Sequence, residues 1–385
     1  MFVFVPYSVA GHVHPMLPVL AELASRGHRV RVLTGDDHVA AVRETGAEAI
    51  RLAVVPEVYV PERLSVRYVA GRPRRIAANR QAARVLDGQL RAADGPCVLV
   101  VDPMLGWADR VARRHRGRVV TFGTTFHQGA AALAALAAED RLPVPGWVHR
   151  FRPLARRYRR PGRLVLANSV AELQPAAEAL PPDVRLVGPL VRPAPGSARP
   201  SGDRILFVSP GTVFARGPEF FDRFVRAFAD RPWQVFLATG HLDPGELGPL
   251  PPNVVAARFL PQRQLLAHSD VFVTHAGMNS VTEALLAGVP MVLFPRSAEQ
   301  RHLARQLVAR GVGVWPGDLG PAALFDLVGS LAGNPAVRAW QSRLDPVAAA
   351  RLAADLLETC AAQPGGREVG GSEVGGSEVG SRPAV

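Results

Sequence analysis

Several groups of residues in this 385-residue chain have types and spacings that could do chemistry. A short apolar strand at 271–273 leads into Thr274-His275-Ala276-Gly277. Asn279, Ser280 and Glu283 then fall at the start of a predicted helix, with Glu283 one turn beyond Asn279. A helix N-terminus leaves backbone N–H groups unpaired and carries a partial positive charge, so this junction outlines a cradle for a nucleotide diphosphate, and Gly277 lets a ligand approach the backbone closely. Phe259 and Gln262 stand upstream; downstream, a strand at 291–294 ends at Pro295, and the next loop carries Glu299 and Gln300. Near the N-terminus, GHVHP places His12 and His14 in the loop after the apolar run 2–6. Imidazole exchanges protons near neutral pH, although a loop histidine taken alone reads as an ordinary surface residue. Asp102 follows the apolar run 98–101; as Asp-Pro it reads equally well as a helix N-cap or a turn former.

The elements that must position these residues alternate between strand and helix. Strands are predicted at 2–6, 29–33, 49–54, 98–101, 119–122, 164–167 and 184–187, with helices at 15–26, 37–45, 76–93 and 107–115. The runs are nearly continuous in apolar residues, as in parallel strands covered on both faces, and the alternation is that of a doubly wound α/β domain. The polar loop 123–128 lies at the carboxyl end of such a strand, where α/β sheets bind ligands. A second alternation follows, with strands at 205–208, 233–237, 254–259, 271–273 and 291–294. Its helices are expected at 218–230, from about Asn279, and at 321–332, 334–343 and 346–360. The expected division is a first domain at 1–190, a Pro-, Gly- and Ser-rich linker at 191–203 and a second domain at 204–362. The tail 363–385 repeats GGREV and GGSEV; it is too polar and Gly-rich to offset its ordering entropy and is expected to be disordered.

The length and the 48% hydrophobic content suit two globular domains. A net charge of +12 suggests nucleic acid, yet all 45 basic residues are Arg, spread along the chain with no reading motif, so no nucleic-acid partner is expected. Exclusive use of Arg, with abundant Ala, Pro, Gly and Val, suggests GC-rich coding of actinobacterial kind. Without lysine no P-loop can exist, and Asp36-Asp37-His38 is not a D-x-D element, so no metal is expected. Cys97 and Cys360 fit no metal or redox spacing. No apolar run approaches the ~18 residues needed to cross a bilayer, and MFVFVPY reads as a first strand, so a cytoplasmic location is expected. Residues 147–163 interleave arginines with Trp147, Phe151 and Tyr158; a solvated helix face is the plain reading, and peripheral contact with an anionic membrane or acceptor is the functional one.

In order and spacing, F-L-P-Q from Phe259, H-x-G-x-N-S-x-x-E from His275, G-V-P from Gly288 and the Glu299-Gln300 pair resemble the nucleotide-sugar signature of the UDP-glycosyltransferase family. The likeness is to its bacterial macrolide and natural-product branch; it is strongest over 259–313 and extends more loosely over most of the chain. It implies a GT-B fold, two Rossmann-like domains facing each other across a cleft. It also implies inverting, metal-independent transfer, with no cofactor, from a UDP- or TDP-sugar to a hydroxyl of a hydrophobic small molecule.

Under that resemblance GHVHP matches the family's basic element. His12 would deprotonate the acceptor, and His14, where the family often has Asn, is the competing assignment. Asp102 would hold the base in its working tautomer. Gly211, Thr212, His275, Gly277, Asn279 and Ser280 would bind the diphosphate, and Glu283 the ribose. Phe259, where many relatives have Trp, and Gln262 would hold the base of the nucleotide. Glu299, where Asp is commoner, and Gln300 would hold the sugar. His268 is read as structural, the last helix would pack back on the first domain, and the irregular stretch 56–75 would shape an acceptor pocket. A membrane-lipid or carotenoid transferase, a catalytically silent partner of a transferase and a nucleotide-sugar epimerase are the alternatives.

Overall fold

The computed structural model describes residues 1–52, 72–93, 95, 97–112, 114–115, 118–139, 163–192, 202–211 and 216–363. The irregular stretch 56–75, the Arg/aromatic cluster 147–163, the linker 191–203, Thr212 and the tail 363–385 lie wholly or largely outside these residues.

The first sheet contains β1 (Phe2–Val5), β2 (Val30–Thr34), β3 (Glu48–Arg51), β4 (Val98–Val101), β5 (Arg118–Gly123), β6 (Val165–Ala167) and β7 (Val184–Leu186). Their order is β3-β2-β1-β4-β5-β6-β7, and every pairing is parallel, with Phe2 opposite both Val30 and Val98. The second sheet contains β8 (Arg204–Ser209), β9 (Trp233–Ala238), β10 (Val254–Ala257), β11 (Val271–Thr274), β12 (Met291–Leu293) and β13 (Gly313–Val314), in the order β10-β9-β8-β11-β12-β13. The same topology occurs twice. In each sheet the order reverses beside the first strand, between β1 and β4 and between β8 and β11, and such reversals open a crevice at the carboxyl ends of the strands.

The continuous apolar runs FVFV, VLVV and VFVT are buried along their full length because helices cover both faces. On one face of the first sheet, Phe2, Phe4, Leu20 and Leu23 share a core with Ala349, Ala350, Ala353, Ala354 and Leu357 of the helix Pro346–Ala362. That helix starts at Asp345, whose carboxylate accepts the N–H groups of Val347 and Ala348. Arg26 bonds Asp355 and Glu358 at 2.6 and 2.7 Å, and Arg118 donates to the carbonyls of Cys360 and Ala361 at the helix end, where unpaired carbonyls attract a cation. The C-terminal helix thus ties the second domain to the first. Among the described residues no helix is long and apolar enough to cross a membrane.

Three local expectations need correction. The loop expected after β1 holds a one-turn helix, Ala10–Val13, which carries His12, and His14 opens a 3-10 turn, His14–Met16. Glu299 and Gln300 are not on a loop; they occupy the first turn of the helix Ala298–Ala309. Ser297 and Gln300 form a reciprocal capping box there, which satisfies the N–H groups that open the helix. A helix at Ala130–Glu139 was not anticipated, because its run AAALAALAAE has little amphipathic period to mark it.

Candidate active site at the domain junction

A one-turn helix after β1, Ala10–Val13, carries His12, and the loop after β4 carries Asp102, to the reversal point of the first sheet. Asp102 is fully buried and held by its own backbone, Asp102 N–H to Val5 O at 3.1 Å, while its Oδ1 accepts the N–H of Met104 at 2.8 Å. Its Oδ2 stands 2.6 Å from His12 Nδ1. A carboxylate can only accept, so Nδ1 carries the proton and Nε2 is left as the basic nitrogen. Thr124 Oγ1 lies 3.2 Å from the same Nδ1, and the Tyr7 ring meets the imidazole edge-on at 5.3 Å. Burial alone would lower the His12 pKa; the charge of Asp102 and its hydrogen bond, with help from Glu299, outweigh burial and raise it above 6.5. His14 points elsewhere, edge-on to His38 at 6.1 Å.

The second sheet builds the facing wall at its own reversal point. After β11, His275 is followed by Ala276 with φ +61°, a left-handed conformation that non-glycine residues adopt at some cost. The His275 ring lies against two glycines. A Cβ at Gly211 would come within 2.4 Å of its Cε1, and one at Gly277 within 2.4 Å of its Nε2. Both glycines are therefore required by the imidazole. Burial, reinforced by the nearby charge of Arg216, pushes the His275 pKa down to about 4, so the ring is neutral at neutral pH; its buried Nδ1 has no hydrogen-bond partner among the described residues.

The helix Met278–Ala287 begins at Gly277 with no side-chain cap among the described residues. Its first-turn N–H groups are left for a ligand, whereas the next helix closes its own with Ser297 and Gln300. Asn279 Nδ2 reaches across the junction to Gly11 O at 2.7 Å. Gln262 Nε2 donates to Glu283 Oε2 at 2.7 Å and to Ser280 Oγ at 3.2 Å, joining three of the expected nucleotide residues in one network. Burial raises the Glu283 pKa against the opposing pull of Gln262 and Arg263. Phe259 is 70% exposed, an unusual placement for a phenyl ring, and it offers an open face for stacking.

Glu299 faces the first domain. Its carboxylate accepts Gln128 Nε2 at 3.4 Å, and burial pushes its pKa up to about 7 despite His12 and a hydrogen bond from Thr125. The side-chain oxygen of Gln300 accepts the N–H groups of Arg296 and Ser297, so its first task is to cap the helix. The structure therefore brings His12 and Asp102 of the first domain to one wall, and Glu299 with Gly211, His275, Gly277, Asn279, Ser280, Glu283 and Gln262 of the second domain to the other.

Sequence reasoning did not name Thr124, Thr125, Gln128 or Arg216. The first three lie in the polar loop after β5, whose position at a strand's carboxyl end was the available signal. Arg216 had none. Its guanidinium lies 4.7 Å from the Phe220 ring centroid and donates to Phe294 O at 2.7 Å.

Two doubly wound parallel-sheet domains, one with a buried carboxylate bonded to an imidazole and the other with a helix opening at Gly277, have the architecture of a GT-B glycosyltransferase. Comparison with known proteins agrees. Residues 188–316 match the model of the family described as UDP-glucoronosyl and UDP-glucosyl transferase. The chain is 27% identical to the NDP-glycosyltransferase YjiC of Bacillus licheniformis over 388 residues, covering 92% of this chain and 96% of that protein. It is 30% identical over 344 residues to the demethyllactenocin mycarosyltransferase of Streptomyces fradiae, covering 80% and 74%. Among solved structures it resembles CalG4, the calicheamicin glycosyltransferase, with a TM-score of 0.72 and 29% identity over 93% of this chain and 97% of that one. The chain belongs to the UDP-glycosyltransferase family, and it is a glycosyltransferase that takes a nucleotide-sugar donor.

Proposed function

We propose that the protein transfers a sugar, with inversion and without a metal ion or other cofactor, from a UDP- or TDP-sugar to a hydroxyl of a hydrophobic small molecule of polyketide or macrolide type. The observation that carries this reading is the 2.6 Å contact between His12 and Asp102, set opposite the helix that begins at Gly277. His12 Nε2 takes the acceptor's proton as the acceptor oxygen attacks the anomeric carbon on the face opposite the diphosphate. Asp102 balances the imidazolium that forms.

Negative charge grows on the departing nucleoside diphosphate. The uncapped N–H groups of the helix and the unpartnered His275 Nδ1 are placed to meet it, which supports a reaction without a metal ion. Glu283 would accept the ribose hydroxyls, Phe259 would stack on the base, and Glu299 with Gln300 would face the sugar. The acceptor class is carried over from relatives named after demethyllactenocin and calicheamicin. A cytoplasmic location is part of the same proposal.

The test is to incubate the protein with UDP- and TDP-sugars and a panel of hydroxylated aglycones in the presence of a metal chelator. The expected product is an aglycone heavier by one sugar, with inverted anomeric configuration. Retention of configuration, a strict need for a divalent ion, or undiminished transfer by His12→Ala would contradict the mechanism.

A further inference from the structure

One segment of the first domain touches both the base and the helix that presents Glu299. It leaves β5 at Thr124, whose hydroxyl lies 3.2 Å from His12 Nδ1. Its turn is fastened by Gln174, which accepts the N–H of His127 at 2.8 Å and donates to the His127 carbonyl at 3.1 Å. Gln128 Nε2 then reaches Glu299 Oε2 at 3.4 Å. The segment continues as the helix Ala130–Glu139, whose last residue returns to the second domain. There, Glu139 Oε1 lies 2.9 Å from His302 Nδ1, and Glu139 Oε2 lies 2.9 Å from Arg305 Nη1.

Glu299, His302 and Arg305 are spaced three residues apart, so they share one face of the helix Ala298–Ala309, and that face is turned to the first domain. Apolar contact backs the polar one: Phe126 and Leu136 share a core cluster with Leu303, Ala304 and Leu307. His302 is only 4% exposed, and its Nε2 has no hydrogen-bond partner among the described residues. The bond to Glu139 is thus the polar contact that holds the buried ring among the described residues, made from a carboxylate that stays partly exposed at the rim of the interface.

We propose that Glu139 is a positioning residue: by clamping the helix Ala298–Ala309 to the first domain, it sets where Glu299 stands relative to His12. The inference rests on the proposed transfer at this cleft. One carboxylate bonds two successive positions on the helix face that carries Glu299, and the same segment, at its other end, contacts the base. Base and sugar-facing carboxylate are thereby registered through a single piece of chain. The nucleotide residues Phe259, Gln262, His275 and Glu283 lie on other elements and are untouched by the clamp.

Glu139→Ala, Glu139→Gln and Glu139→Asp in the full chain test this. A misplacement on the order of 1 Å can cost up to roughly 100-fold in rate, so kcat is expected to fall by about 10-fold or more in Glu139→Ala. Glu139→Asp, which keeps the charge, is expected to fall between Ala and wild type. The Kd for UDP, which carries no sugar, is expected to stay unchanged. A larger share of donor is expected to be lost to hydrolysis, in which water replaces the acceptor at the anomeric carbon and yields free sugar and UDP. Arg305→Gln removes one arm of the clamp from the partner side and should move the same readouts in the same direction, which covers the case of a Glu139 variant that does not fold. Unchanged kcat and partition, or a UDP affinity that falls in step with kcat, would overturn the proposal. Wild-type protein that transfers no sugar would instead overturn the reading of the site, and hydrogen exchange over 298–309 would still report the clamp: faster exchange in Glu139→Ala supports it and unchanged exchange refutes it.

Discussion

The side-chain amide of Asn279 donates to the carbonyl oxygen of Gly11 at 2.7 Å, joining the first turn of the helix Met278–Ala287 to the residue immediately before His12. The two halves of the site are therefore one contact apart. Across the junction, Glu299 helps to raise the His12 pKa, and His12 opposes the rise that burial imposes on Glu299.

His12 must be neutral to accept a proton. Burial lowers its pKa, and Asp102 and Glu299 more than reverse this, so kcat/KM should rise with pH through a limb above 6.5. Asp102→Asn removes the principal raising influence and leaves burial in place. The limb is expected to move to lower pH while the plateau falls by ~100-fold to ~10,000-fold. Rate profiles over pH for the two proteins check this; a limb that stays put would show that Asp102 does not set the base.

The folded state raises the Glu299 carboxyl from 4.5 to about 7, so it holds this proton more tightly than the unfolded chain does. Stability should therefore decline as pH rises between those values. Glu299→Gln has no such proton to lose. Without donor present, its Tm is expected to gain a few degrees on wild type across that window. Parallel thermal-melting curves would contradict the buried placement of this carboxyl.

Gly277 has φ −73° and ψ 140°, a backbone that alanine adopts without strain. A methyl group there would nonetheless lie 2.4 Å from His275 Nε2, so Gly277→Ala displaces the imidazole without deleting any functional group. UDP affinity is expected to drop on the order of 10-fold with the fold intact, as the loss of one hydrogen bond to a charged group would produce. Titration calorimetry measures it, and unaltered affinity would mean that His275 does not contact the diphosphate.

Phe259 is 70% exposed and contributes little to any core, so Phe259→Ala should leave stability within ~0.5 kcal/mol of wild type. If the ring stacks on the nucleotide base, the same change weakens nucleotide binding by ~1–3 kcal/mol, and Phe259→Trp restores it. Denaturation and binding measured side by side separate the two effects. Equal UDP affinity in all three proteins would remove Phe259 from the site.

Much of this site is legible in one dimension because its parts sit at chain junctions with local signatures. Apolar runs such as FVFV and VFVT mark buried parallel strands, and the residues after them must emerge at the carboxyl edge of a sheet, which is where His12, Asp102 and His275 are found. The helix start at Gly277 is equally local. The capping box of Ser297 and Gln300 was also present as a local pattern, yet Pro295 nearby favoured reading a loop.

What the amino-acid order determined by itself is this periodic framework and the chemistry offered at its strand ends, since both depend on neighbours a few residues apart. Only the tertiary structure decided that His12 meets Asp102 across 90 residues, that Glu299 approaches the base and is held near neutral pKa, and that Glu139 grips His302 and Arg305. The physical reason is that such contacts arise when strands distant in sequence pair, as β1 and β4 do for His12 and Asp102, or when the two domains pack, as for Glu299 and Glu139, and no local pattern encodes either distance.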